Sequence, residues 1–146
     1  MNDKYLITID TIQQTESGHD SFSLSTFGDY CYSEDKAVIR YQDSEATGFE
    51  GCMTTLDISK DAITMNRTGP THSNLVLEPG KKHICHYMTP YGDLPLGVYA
   101  EEISHDLSQS GGTVDLRYSL DLNANFFALN HLKITVREQK KKNNDV

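Results

Sequence analysis

Six polar side chains stand out among short apolar runs: Tyr41, Asp43, Arg67, Tyr87, Thr89 and Tyr118. A guanidinium, a carboxylate, three phenols and a hydroxyl can hold a polar ligand by charge-assisted hydrogen bonds, or can satisfy one another inside an apolar wall. Parity links them. Successive side chains of a strand alternate between faces, so residues two apart share one. Arg67 has the parity of Ile63 and Met65 in AITMNR, and Tyr41 and Asp43 share a face in RYQD. Tyr118 lies on the apolar side of VDLRYSL, and Tyr87 and Thr89 share a face in HICHYMT. In HICHYMT, Ile84, His86 and Met88 compete for the inner side, so the parity of that run stays open. If the Arg67 face points inward, a guanidinium enters an apolar interior, where it needs a partner such as Asp43 or Glu45. The cluster then either plugs one end of the fold and fixes its register, or anchors the polar end of a ligand.

Metal and catalytic chemistry find less support. His83 and His86 fall on opposite faces of one strand, and His83 with Cys85 shares a face without a third ligand nearby in sequence. His19, His72, His105 and His131 read as loop or edge residues. There is no G-x-S-x-G elbow, no Gly-rich phosphate loop opening a helix, and no pair of carboxylates in visibly different settings. The expectation is no catalytic residue, no metal and no cofactor. Cys31, Cys52 and Cys85 are odd in number, widely spaced and without a CxxC, which suits free thiols in a reducing compartment.

The elements that must position these groups are strands. KYLITIDTI sets Tyr5, Ile7 and Ile9 against Thr8 and Asp10, SFSLST repeats the alternation with Phe22 and Leu24, and MTTLDI puts Thr54, Leu56 and Ile58 on one face. KAVIRY leads into the polar loop QDSEATGFEG, SKDA reads as a turn, and RTGP closes the AITMNR strand. SNLVL and HICHYMT are joined by Glu78-Pro79-Gly80-Lys81, whose central Pro-Gly suits a type II turn. TPYGDLPLG reads as a turn-rich connection and GVYAEEISHDL as a long strand, with a faint helical turn over ISHDLSQS. SQSGGT is a tight reversal, and TVDLRYSLDLN alternates Val114, Leu116, Tyr118, Leu120 and Leu122 with polar residues, a pattern no helix can use. FFALNHLKITV ends the series with Leu132, Ile134 and Val136 inward. Nine or ten short strands joined by neighbour-to-neighbour turns, without a crossover helix or a long return connection, predict an all-β, antiparallel up-and-down barrel of about eight to ten strands rather than a sandwich.

The length of 146 residues fits one domain, over residues 1–137, with 138–146 a flexible basic tail. Against 13 Lys+Arg stand 21 Asp+Glu, for a net charge of −8. Such a body repels phosphate backbones, so nucleic acid is an unfavourable partner, and the Lys140–Lys142 run reads as a solvated tail. No stretch approaches the roughly 20 apolar residues of a membrane span, and MNDKYLITID lacks a secretory layout. The expected setting is cytoplasmic, with neither membrane nor nucleic acid as partner.

The segments TFGDYCY, RYQDSEATGFEGCMTTLDI, ITMNRTG, HYMTPYGDLPLGV and GGTVDLRYSLDLN resemble the YwiB-type bacterial family, a domain of unknown function. The likeness runs over residues 4–137 and is most specific at Tyr87-x-Thr89-Pro90-Tyr91-Gly92, with Thr54-Thr55-Leu56, Arg67-x-Gly69, Gly112 and Tyr118-x-Leu120 beside it. Asp43 stands where the pattern carries Glu, which shortens the carboxylate's reach, and Asp57 where it carries a basic residue on an outer face. The resemblance implies a calycin-like, lipocalin-like barrel and no particular activity. By analogy with such barrels, the leading expectation is a non-enzymatic module holding a small, partly apolar ligand. The alternative is a structural or protein-interaction barrel with a filled core and a protein partner of unspecified kind.

Overall fold

The alternating runs form ten antiparallel strands: β1 (Tyr5–Thr15), β2 (Gly18–Ser33), β3 (Lys36–Gln42), β4 (Met53–Ile58), β5 (Ile63–Thr68), β6 (His72–Leu77), β7 (Lys82–Thr89), β8 (Gly92–Ser108), β9 (Gly111–Leu122) and β10 (Asn125–Glu138). The computed structural model describes residues 5–44, 50–89, 92–123 and 125–139, and the backbone only of Thr89. Glu45, Pro90, Tyr91, the Lys140–Lys142 run and the Thr89 side chain lie outside the described residues. Each strand pairs with the next in sequence, and β1 pairs with β10, closing a barrel. Closure leaves no strand edge to template aggregation. No helix of the described residues is long and apolar enough to cross a membrane.

Inward residues build the core in cross-strand rows. Ile39, Leu56, Met65 and Leu75 lie side by side across β3 to β6. Val114, Ile134 and Ile9 form a matching row across β9, β10 and β1. All of these are buried, in one continuous apolar cluster. Each such side chain contributes roughly 1.5–3 kcal/mol by leaving water. The hairpin turns after β2, β4, β6 and β8 gather at one end, and the paired ends Gln42 and Met53 of β3 and β4, with the β5–β6 turn, lie at the other.

Several segments depart from the expected layout. SFSLST is part of a 16-residue strand that pairs with β1 as far as Gly28 and with β3 from Asp29 onward. GDLPLG is strand rather than connection: Gly92 and Asp93 already pair with Thr89 and Met88. Pro95 is tolerated there because β8 has only β7 beside it until pairing with β9 begins at Leu96. Ile103–Ser108 makes no helical turn, since β9 supplies it with ladder partners from Leu116 to Gly111. His19, His72, His105 and His131 sit within β2, β6, β8 and β10, and a closed barrel has no edge strand for them to occupy. The Glu78–Lys81 reversal forms as expected, with Gly80 at φ 78° and Lys81 N–H donating to the Glu78 carbonyl at 3.0 Å.

Gly28 marks the corner where β2 changes partner. A Cβ there would overlap the Arg40 carbonyl oxygen and come within 2.7 Å of Ile7 Cδ1. Gly28→Ala is therefore expected to destabilise the barrel by about 1–3 kcal/mol through overpacking. Urea unfolding checks this, and a midpoint equal to wild type would mean that the corner has room to relax.

Candidate functional site

At the barrel end away from the β2–β3 turn, one cross-strand row runs Tyr41, Thr54, Arg67, Ser73 and Tyr87, on β3 to β7. The same parity that buries Ile39, Leu56 and Met65 carries this row inward. Arg67 Nε donates to Thr54 Oγ1 at 3.0 Å and to Asp43 Oδ2 at 3.4 Å. Thr54 Oγ1 in turn donates to Asp43 Oδ2. The Asp43 side chain is 0% exposed and that of Arg67 13% exposed. Asp43 extends the β3–β4 pairing past the strand end, its N–H donating to the Cys52 carbonyl at 2.8 Å. That backbone hydrogen bond sets the level at which Asp43 enters the interior.

Two phenols complete the cluster. Burial and the adjacent Asp43 charge push the Tyr41 phenol well above its ordinary range, with Arg67 and Thr54 offsetting part of the effect. Tyr118, on β9, is likewise raised by burial, against a smaller opposing pull from Arg67. Both phenols are neutral near pH 7 and keep a proton to donate. Beside Tyr118 on the neighbouring strand, buried Asn130 accepts a 3.0 Å hydrogen bond from Gln13 Nε2.

The structure thus brings Tyr41, Asp43, Arg67 and Tyr118 together. Tyr87 faces inward on the same row, two strands along from Arg67. In β7 the buried residue is Cys85, with Tyr87 half-buried and Ile84, His86 and Met88 exposed, which resolves the parity left open by the sequence. Thr54 is a central member not singled out from the sequence, although its parity with Leu56 and Ile58 was plain. Asn130 carried no comparable signal beyond its place on the inner face of β10. His83 and His86 do point to opposite faces, as their spacing requires. His83 Nε2 meets Glu78 Oε1 at 3.1 Å, and His86 Nδ1 meets Asp93 Oδ1 at 3.2 Å. Hydrogen bonds from Lys81 and His83 hold Glu78 below the usual carboxylate range.

The wall next to this cluster is loosely laced. The β6–β7 ladder pairs are His72 with Met88 and Ser73 with Tyr87, and at the turn Glu78 bridges Lys81 with the register displaced by one residue. A groove of about 490 Å³ lies along the outer face here, and inward residues Arg67, Ser73 and Cys85 contribute to its lining. At the opposite end the chemistry differs. Tyr30 Oη donates to the Ser108 carbonyl at 2.6 Å and Tyr5 Oη to that of Gln109 at 3.3 Å, with the two rings edge to face at 5.2 Å. These contacts tie β1 and β2 to the β8–β9 tip. Burial, with neighbouring Tyr32 and Tyr5, pushes the Tyr30 phenol up to about 12.

A family model described as a domain of unknown function (DUF1934) matches residues 7–134. The crystal structure of the YwiB protein from Bacillus subtilis is similar, with a TM-score of 0.82 and 18% sequence identity over 93% of this chain and 92% of that one. At that identity the likeness speaks for the fold. No curated protein matches the chain.

Proposed function

The chain belongs to the DUF1934 family of domains of unknown function, and from the chemistry of its barrel we propose a cytoplasmic, non-enzymatic, calycin-like module that binds one small, partly apolar molecule with Arg67 as the polar anchor. The observation that carries this reading is that Arg67 is held from within the barrel and still keeps some contact with solvent. Its Nε is held by Thr54 and Asp43, its side chain keeps 13% exposure, and the residue is one of those around the groove. A guanidinium held in this way is preorganised, so little rotamer entropy remains to be lost on binding. The enzyme reading lacks a matching feature. Thr54 is fully buried, so its hydroxyl is not presented to a substrate, and the raised phenols of Tyr41 and Tyr118 are poor bases near neutrality.

A second reading, a filled-core barrel that serves as a structural or protein-interaction unit, is favoured by one specific observation. Among the described residues no buried side-chain nitrogen or oxygen lacks a hydrogen-bond partner. On that reading Arg67, Thr54 and Asp43 are a plug alone. Native mass spectrometry of protein purified gently from cells separates the two. The expected result is an added mass released by denaturation, and its loss in the Arg67→Met, Asp43→Asn double variant while that variant stays folded. A wild-type protein that never carries an added mass would sink the ligand reading and leave the filled core.

A further inference from the structure

We infer that the mouth of the barrel at the tyrosine end is a second binding site, one that takes a small zwitterion with an apolar side group, as a free apolar amino acid is. The inference does not depend on the role of Arg67, which lies at the other end. One cross-strand row closes the core here, running Tyr32, Ala37, Ile58, Ile63 and Leu77 on β2 to β6. Ala37 is the one small side chain in that row, and a concavity of about 340 Å³ opens over it. Buried Ala37 and Ile58 form its floor, with Tyr32 and Leu107 at its sides. The Tyr30 and Tyr5 hydrogen bonds strap the β8–β9 tip across this mouth. The recess is thus shaped before a ligand arrives, which limits the ordering cost of binding.

A bulge in β8 re-aims that strand at the recess. Ala100 pairs with Tyr118 and Glu102 with Arg117, so Glu101 is an extra residue. Before it, Leu96, Val98 and Ala100 face the core; after it, Ile103, His105 and Leu107 have the inward parity, opposite Leu116, Val114 and Gly112. An unbroken ladder would have turned Glu102, Ser104 and Asp106 inward instead. The bulge therefore brings an imidazole and an apolar side chain to the mouth and leaves Asp106 on its rim.

The rim carries both signs of charge, and these are not paired with one another. Asp35 and Lys60 each lie two residues beyond the paired Ala37 and Ile58, on neighbouring hairpin tips. Strands roughly 5 Å apart bring such residues within reach of an ion pair. None forms: the Asp35 carboxylate accepts a 3.4 Å hydrogen bond from the Tyr32 phenol, and the side chains of Lys60 and Asp106 have no partner among the described residues. A simple cation at this mouth meets Lys60, and a simple anion meets Asp35 and Asp106. A molecule with both charges meets a partner for each, while its apolar group covers Ala37 and Ile58.

The test uses the full chain, isotope-labelled for NMR, titrated with L-leucine and with two molecules that keep its side group and only one of its charges, isopentylamine and isocaproate. Leucine is expected to shift the amides of Tyr32, Ala37, Lys60 and Leu107 saturably. It should bind about tenfold more tightly than either fragment, the worth of one charge-assisted hydrogen bond. Lys60→Gln is expected to weaken leucine and isocaproate by about the same factor and to spare isopentylamine. Asp35→Asn is expected to weaken leucine and isopentylamine and to spare isocaproate. Both positions are exposed, and asparagine suits the φ of 66° at Asp35, so melting should not change in either variant. A fragment that binds as tightly as leucine overturns the zwitterion. Leucine affinity indifferent to either substitution, or shifts gathered at Tyr41, Thr54 and Arg67, overturns the site at this mouth. Absence of any shift up to about 20 mM leucine, well past millimolar affinity, overturns the inference outright.

Discussion

Arg67→Met is expected to lower the unfolding free energy by about 3 kcal/mol, and Asp43→Asn in the same chain to return most of that loss. Methionine matches much of the arginine stem, so packing changes little; what changes is the charge beside a carboxylate whose side chain has no exposure. The low end of the range for a broken buried ion pair applies because Arg67 keeps 13% exposure and some hydration in the native state. Asparagine at 43 removes the remaining charge and still offers an oxygen to the Thr54 hydroxyl. A drop of this size is a large share of the 5–15 kcal/mol that typically separates folded from unfolded domains. Urea denaturation of wild type, both single variants and the double variant measures the coupling. A double variant as unstable as the sum of the two singles would show that the pair is not coupled, and that Arg67 acts on stability through other contacts.

Much of this architecture was legible because parity is a local property. The run from Val114 to Leu122 announces its own inner face, and Arg67 could be placed inside by its distance from Ile63 and Met65 alone. What parity does not carry is the distance between strands. Tyr118 reaches Arg67's neighbourhood only because β1 pairs with β10 and closes the barrel, a contact between the two ends of the sequence. Gly28 shows the same limit. It sits inside a continuous strand with no turn signal around it, and the need for a missing side chain arises from the Arg40 carbonyl on β3. Glu34 and Asp35 turn the β2–β3 hairpin with positive φ at both residues and no glycine, so the usual composition cue was absent. GDLPLG carried the opposite fault: its Pro and Gly spell a loop, but a proline is harmless at the level where β8 has one neighbour. The groove was out of reach altogether, since its lining gathers residues of β5, β6 and β7 whose alignment is set by strand pairing and not by parity.

Raising the pH above 10 is expected to unfold the barrel steeply, with the buried tyrosines supplying the drive. The phenols of Tyr30, Tyr41 and Tyr118 are all raised above their ordinary value of 10, Tyr30 to about 12. In the unfolded chain they ionise near 10, so between that pH and their folded values the unfolded state has lost protons that the native state still holds. Stability is therefore complete below pH 10 and falls as pH rises through the folded values, by about 1.4 kcal/mol per pH unit for each such group. Tyr41 and Tyr118 act undiluted because they are sealed from water, while solvent screening reduces the share of Tyr30, and together they make the alkaline loss of stability steep. Phenolate absorbance and far-ultraviolet circular dichroism, followed together, test this. Of the chain's eight tyrosines, three are expected to ionise in step with the loss of the strand signal. Tyr30→Phe separates the titration from the hydrogen bond: it should cost about 1 kcal/mol at pH 7 through the lost contact with Ser108, and should flatten the alkaline slope by one group's share. If all eight phenols ionise near pH 10 while the strand signal persists to pH 12, the interior is open to hydroxide, and Tyr41 and Tyr118 are not sealed behind the walls that position Arg67.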